Sequence, residues 1–198
     1  EVRHENVRDF YVPQGVYTAP ADYDVEGDAS SASYPLAAAA IARGKVRVLG
    51  VGKDSIQGDV AFVDVLRKMG ARVEVGPDWI ACDGNGCSLH GVDLNLNDIP
   101  DAAMTVSVLA LFADSPSKIS GIASWRVKET DRIAAISAEL QKFGARVTTD
   151  MDSITIVPPE KLVPATVETY NDHRMAMCFS LVSLGGVAVK IMDPACVN

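Results

Sequence analysis

One eight-residue string occurs twice in this chain: Leu66-Arg-Lys-Met-Gly-Ala-Arg-Val73 returns as Leu140-Gln-Lys-Phe-Gly-Ala-Arg-Val147, at an offset of 140 − 66 = 74 residues. An internal repeat constrains the fold strongly, because each copy must fold as the same unit and bury its apolar face against its neighbours. Apolar residues at helical spacing precede both strings: Val60, Phe62, Val63, Val65, Leu66 and Met69, then Ile133, Ile136, Leu140 and Phe143. Spacing of this kind predicts two amphipathic helices. Each closes on a glycine suited to a left-handed C-cap, Gly70 and Gly144. A strand, a turn and a second strand are expected after each: Arg72–Val75 with Trp79–Cys82, and Arg146–Thr149 with Ser153–Val157.

A second element recurs at a similar interval. Asp28-Ala-Ser-Ser-Ala-Ser, Asp101-Ala-Ala-Met-Thr and Asp172-His-Arg-Met-Ala-Met each open a helix, at spacings of 101 − 28 = 73 and 172 − 101 = 71 residues. Strands are expected after them at Lys45–Leu49, Ser117–Ser120 and Val187–Ile191. The unit therefore reads β-α-β-α-β-β, twice in full and once cut short, and the fold class is α/β (α+β) with the copies packed around a common core. Units of about 25–90, 91–160 and 161–198 follow. Residues 1–24 fit no copy; Phe10-Tyr-Val-Pro and Gly15-Val-Tyr read as a strand and linker belonging to a neighbouring lobe. The start at Glu1 without methionine and the stop at Asn198 suggest an excised piece.

Composition closes off several function classes. The net charge is −8, against the clustered cations that a nucleic-acid surface needs. A small anionic ligand is still possible, since a few local cations suffice. The longest apolar run, Tyr34 to Ile41, falls short of the roughly 18–20 residues of a membrane span, and no basic-then-apolar leader opens the chain. Cys82 and Cys87 bracket an Asp-Gly-Asn-Gly hairpin-type turn without the further ligands of a zinc site. No metal is therefore expected, and free thiols of a reducing compartment are.

Three polar clusters stand at helix starts, where unpaired backbone N–H groups and the helix dipole favour anions. In Asp98-Ile-Pro-Asp101, Asp101 is either an ordinary N-cap or a free carboxylate. In Ser124-Trp-Arg-Val-Lys128-Glu129-Thr-Asp-Arg132, helical spacing puts Lys128 and Arg132 on one face with Glu129 beside them. A solvated charged face is the plain alternative. In Asn171-Asp172-His173-Arg174, cations sit at a helix N-terminus where they oppose the dipole, a cost that a bound anion would offset; Arg174 pairing with Asp172 is the alternative. The glycine loop from Gly50 to Gly58 matches neither the dinucleotide nor the Walker spacing and reads as a strand-to-helix turn. Together the clusters suit acid–base chemistry on an anionic substrate.

The strings Val25-Glu-Gly-Asp-Ala-Ser-Ser-Ala-Ser-Tyr34, Ile99-Pro-Asp-Ala-Ala-Met-Thr105, Arg126-Val-Lys-Glu-Thr-Asp-Arg132, Pro158-Pro-Glu-Lys-Leu162 and Asn171-Asp-His-Arg-Met-Ala-Met177 resemble, in order and in register, the signatures of the 5-enolpyruvylshikimate-3-phosphate synthase family. The resemblance implies one lobe of a two-lobed enolpyruvyl transferase fold. The family transfers the enolpyruvyl group of phosphoenolpyruvate to the 5-hydroxyl of shikimate 3-phosphate, without metal or organic cofactor. It implies that Asp101 is the base for that hydroxyl and that Glu129 exchanges a proton with the methylene carbon. Ser124 and Lys128 would contact shikimate 3-phosphate alongside Asp101. Arg132, His173 and Arg174 would serve phosphoenolpyruvate, whose site glyphosate occupies in this family. It further implies a cytoplasmic protein, or a plastid one in a plant, partnered by a second lobe and inactive alone. Ser124 departs from the asparagine usual there, and the family's lysine beyond Asp-Pro-x-Cys has no counterpart. The related UDP-N-acetylglucosamine enolpyruvyl transferases share fold and donor, but the Lys-Glu-Thr-Asp-Arg and Asn-Asp-His-Arg strings favour the shikimate enzyme. A non-catalytic, anion-binding or lobe-binding domain is the reading from another class.

Overall fold

The three predicted copies are visible as three sheets in the computed structural model, which describes residues 2–6 and 8–197. Glu1 and Asn198, the outer bounds of the expected segments, lie outside the described residues, as does Val7. A short antiparallel ribbon comes first, β1 (Arg3–His4) with β2 (Phe10–Tyr11). The stretch that follows carries its apolar groups into solvent: Val16 and Tyr17 are each 96% exposed. Nothing in the described chain buries them.

The first copy comprises α1 (Ala29–Ala42), β3 (Lys45–Leu49), a 3-10 turn at Gly58–Ala61 running into α2 (Phe62–Lys68), β4 (Arg72–Val75) and β5 (Trp79–Asp83). The second has β6 (Asp93–Asn95), α3 (Ala102–Leu109), β7 (Ser117–Ser120), a 3-10 turn at Ala123–Val127, α4 (Arg132–Lys142), β8 (Arg146–Thr149) and β9 (Ser153–Val157). The third holds β10 (Ala165–Val167), α5 (His173–Ser180) and β11 (Val189–Ile191).

Pairing repeats along with order. The sheets run β3-β5-β4 and β6-β7-β9-β8, with β10-β11 as a two-stranded third. The parallel pair β6–β7 recurs as β10–β11, and the antiparallel pairs β7–β9 and β8–β9 match β3–β5 and β4–β5. The first copy departs from the expected full unit, because its opening strand shrinks to one backbone bond. Gly27 N donates to Gly50 O at 2.8 Å, where the second copy has Leu96 N to Ser120 O at 2.9 Å. The Glu-Gly-Asp that leads into α1 offers no apolar side chain to lay under a sheet, so no strand forms there. The Cys82–Cys87 turn is no hairpin either. Its strand, β5, already pairs on both edges, so the chain turns away towards Leu89, which bridges to Ala113. All four cysteines are free thiols, and burial pushes the Cys178 thiol up to about 12.

Helix α3 packs between α1 and α5 at the centre. Every residue of α3 is buried, the pattern of a helix apolar all round. Equivalent positions touch along this axis: Ser33 Oγ lies 2.9 Å from Thr105 Oγ1, which lies 3.7 Å from Cys178 Sγ. Small polar groups let the backbones approach and satisfy one another, as buried hydrogen-bonding groups must. The amphipathic α4 closes over the core with Ile133, Ile136 and Leu140, and Phe143 stacks on Phe179 at 5.9 Å. Gly70 and Gly144 hold positive φ values of 99° and 97°, so the predicted left-handed ends of α2 and α4 are present. No helix among the described residues is long and apolar enough to cross a membrane.

Candidate active site

Asp101 stands where a capping residue is expected, yet it does not cap. Its backbone is already helical, with φ −75° and ψ −43°, and its side chain accepts nothing from α3. The carboxylate faces outward instead, between three cations. Oδ1 lies 3.0 Å from Arg132 Nη1 and 3.6 Å from Lys128 Nζ, and Oδ2 lies 3.1 Å from Arg174 Nη2. Trp125 fixes the approach of the neighbouring turn: it is fully buried and its indole N–H donates to Pro100 O at 2.7 Å.

Arg132 is the hub. It opens α4 behind the cap Asp131, which accepts from Ala134 N at 3.1 Å, while Arg126 ties that cap down at 2.9 Å. The Arg132 side chain is only 1% exposed and donates to three carboxylates: Asp172 through Nε at 2.7 Å, Glu129 through Nη2 at 2.7 Å, and Asp101 through Nη1. Asp172 is itself fully buried and caps α5 by accepting from Arg174 N at 2.9 Å. An ion pair this dry holds only because each partner saturates the other; removal of one costs about 3–5 kcal/mol.

One expectation of the sequence changes here, and one alternative falls away. Lys128 and Arg132 do not share a helix face. The 3-10 turn ends at Val127, Lys128 is extended, and the helix begins only at Arg132, because Asp131 caps it there. The two cations still converge, through the bend rather than through helical spacing. Arg174 does not pair its guanidinium with Asp172, whose oxygens Arg132 takes; it reaches Asp101 and the Tyr34 hydroxyl at 3.2 Å. Burial pushes the Tyr34 phenol well up, so it stays neutral beside that guanidinium.

Glu129, at 42% side-chain exposure, forms the solvent-facing edge of the cluster. His173 Nδ1 lies 4.0 Å from both Glu129 Oε1 and Asp172 Oδ1. Ser124 is exposed on the 3-10 turn and stands outside the network. Donor atoms of Glu129, Asp172 and His173 lie within 4.8 Å of one another. Arg132 already occupies both carboxylates, so the trio is an ion-pair corner rather than a cation cage.

Sequence reasoning passed over three groups. Asp172 was legible as a helix opener but not as the buried partner of Arg132. Tyr34 lay inside a quoted string without a role. Glu139 is fully buried in α4 and accepts from the Tyr170 hydroxyl at 2.7 Å and Glu168 N at 3.2 Å, with Lys142 Nζ also at 2.7 Å. Its signal was a glutamate one step from Leu140 on the apolar face. Tyr170 and Asn171 both hold φ 54°, a left-handed backbone that disfavours ordinary side chains by roughly 1–3 kcal/mol each.

The profile of the family described as EPSP synthase (3-phosphoshikimate 1-carboxyvinyltransferase) matches residues 1–198. The chain is 58% identical over 197 residues to a 3-phosphoshikimate 1-carboxyvinyltransferase of Edwardsiella ictaluri, covering 99% of this chain and 46% of that protein. It is 57% identical over the same length, with the same coverage, to the protein of that name from Serratia proteamaculans. It thus spans just under half the length of the curated relatives it matches. Among solved structures it resembles an EPSP synthase from Acinetobacter baumannii at TM-score 0.75 and 27% identity, over 87% of this chain and 43% of that one. The enolpyruvyl transferase NikO from Streptomyces tendae, at TM-score 0.66 and 21% identity over 86% and 40%, shares the fold.

Proposed function

This chain belongs to the EPSP synthase family, and from that premise we propose that residues 25–198 form most of one lobe of a synthase, with 1–24 running from its neighbour. The reaction is enolpyruvyl transfer from phosphoenolpyruvate to the 5-hydroxyl of shikimate 3-phosphate. One observation carries this reading: Asp101 is withheld from capping its helix and held between Lys128, Arg132 and Arg174.

A carboxylate so placed accepts the 5-hydroxyl proton as that oxygen attacks the enol carbon, while Glu129, once released from Arg132 and carrying a proton from solvent, delivers it to the methylene carbon. Phosphate then leaves from the tetrahedral intermediate, taking the proton held by Asp101, as Glu129 takes a methyl proton back; the double bond is restored and both side chains return to their starting states. Arg132 and Arg174 bind the donor's carboxylate and phosphate, a task for which the planar guanidinium fork is suited. The Glu129–Arg132 contact gives the order of events a physical basis. An incoming carboxylate takes the place of Glu129 on Nη2, and the displaced Glu129 is free to reach the methylene carbon. His173 lies beside Glu129 and supports the donor site; Lys128 and Ser124 face shikimate 3-phosphate. The remaining substrate contacts come from the second lobe, and the protein works in the cytoplasm, or in a plastid in a plant host.

The test is a chimera in which these residues replace the matching 197 of the Edwardsiella ictaluri relative. Phosphate release from phosphoenolpyruvate in the presence of shikimate 3-phosphate is expected from the chimera, and not from its Glu129→Gln form. A chimera that folds but releases no phosphate, or a Glu129→Gln form as active as its parent, would sink the reading.

A further inference from the structure

We propose that Glu139 and Tyr170 form a latch that positions the Asp172–His173–Arg174 turn for donor binding, acting through the turn and not on substrate. The inference rests on the synthase reading above. Glu139 sits in the middle of α4 with no exposed surface, between Ile136 and Leu140. A carboxylate in that setting persists only with its hydrogen-bonding capacity met. Two of its partners, the Tyr170 hydroxyl and Glu168 N, belong to the segment that leads directly into Asp172.

That segment needs holding. Tyr170 and Asn171 are consecutive left-handed residues, neither of them glycine, and such backbone survives where the surroundings over-determine it. Fasteners stand on both sides of the pair. On the leading side, Glu139 takes the Glu168 amide and the hydroxyl of Tyr170, the first of the pair; after it, Arg132 takes Asp172. Both fasteners rise from one helix, seven residues apart and therefore on the same face, about 10 Å along the axis. The left-handed pair reverses the chain so that Asp172 caps α5 and Arg174 meets Asp101. Release of the first fastener leaves the second to hold a strained turn alone. Arg174 then samples positions away from the donor site. Tyr170 is 41% exposed, so its ring adds little to the core and its hydroxyl bond is the part that acts.

Tyr170→Phe is the variant of choice, since Glu139→Ala opens a buried hole and disturbs folding. In this chain, amides from Glu168 to Arg174 are expected to exchange hydrogen about tenfold faster in Tyr170→Phe, the size of one hydrogen bond to a charged group. In the chimera, KM for phosphoenolpyruvate is expected to rise about tenfold on the same basis. KM for shikimate 3-phosphate should stay put, a split that a general loss of stability does not produce. Unchanged exchange in Tyr170→Phe overturns the latch. Faster exchange with an unmoved phosphoenolpyruvate KM overturns its positioning role. An unsubstituted chimera without turnover refutes the synthase reading instead, and the exchange measurement still decides the latch.

Discussion

Asp28 and Asp101 each precede a central helix, 101 − 28 = 73 residues apart, yet they do different things. Asp28 has an extended backbone and caps α1, accepting from Ser30 N at 2.9 Å and Ser31 Oγ at 2.6 Å. Asp101 has a helical backbone and makes no cap. The axial contacts explain why. Ser33 and Thr105, which touch across the helices, are 72 residues apart, so Asp101 sits one residue deeper in its helix than Asp28 does. There its carboxylate points past the backbone N–H groups. The neighbours differ as well. In the first copy Gln57 fills the gap, its side chain accepting from Ala29 N and donating to Gly27 O. In the second copy the bend at Lys128 and the start of α4 fill it with cations. A repeat therefore fixes where a carboxylate stands to within a residue, and that last residue decides whether it caps its helix or turns to the cations beside it.

The contrast can be broken most severely at its hub. Arg132→Met should lower the unfolding free energy of the chain by about 3–5 kcal/mol, since it strands Asp172 as an unpaired buried charge. Urea denaturation measures it; a loss below 1 kcal/mol would show that Asp172 finds another partner or takes up a proton without strain. A milder pair sharpens the contrast directly. Asp28→Asn should change stability by no more than a few tenths of a kcal/mol, because asparagine caps as well as aspartate. Asp101→Asn should cost about 1–2 kcal/mol, since the bonds it weakens are charge-assisted. Equal effects at the two positions would mean that both aspartates are caps.

The smallest effect concerns the third copy. Burial and the bond to Glu139 push the Tyr170 phenol up to about 12. A folded pKa above the unfolded value of about 10 contributes stability that is complete below pH 10 and lost as pH rises towards 12. Its share stays under about 1 kcal/mol once the exposure of the ring is allowed for. Tyr34, Cys82 and Cys178 are also shifted upward, so the measurement is the difference between the parent chain and Tyr170→Phe over pH 9–12. The parent should lose stability more steeply; parallel curves would contradict the bond.

Most of the architecture was legible because the repeat writes it twice. Leu66 and Leu140, Gly70 and Gly144 mark equivalent helices, and the strands beside them fall where their β-branched residues predict. The elements that escaped are short: β1, β6 and β10 span two or three residues, too few for an alternating pattern. Of the residues singled out, Asp101, Arg132, His173 and Arg174 converge from helix starts, and Lys128 and Glu129 join them from the bend before α4. Ser124 does not join them and stays exposed. The pairing within the cluster was not legible, because Arg132 finds Asp172 forty residues away and no local pattern encodes that choice. The helix spacing of Lys128 and Arg132 misled for a related reason: periodicity cannot see a cap placed between the two residues.

Charge neutrality within the cluster has a kinetic consequence. Lys128, Arg132 and Arg174 are matched one for one by Asp101, Glu129 and Asp172, on a chain whose formal net charge is −8. Such a surface offers no long-range attraction to an anion diffusing past, and steering of the kind that speeds association many-fold needs a field of one sign. Encounter with an anionic ligand should thus run at an ordinary diffusive rate and vary little with ionic strength. On the reading proposed above, selectivity arises at contact, when a ligand's own oxygens trade places with the carboxylates that pair the arginines.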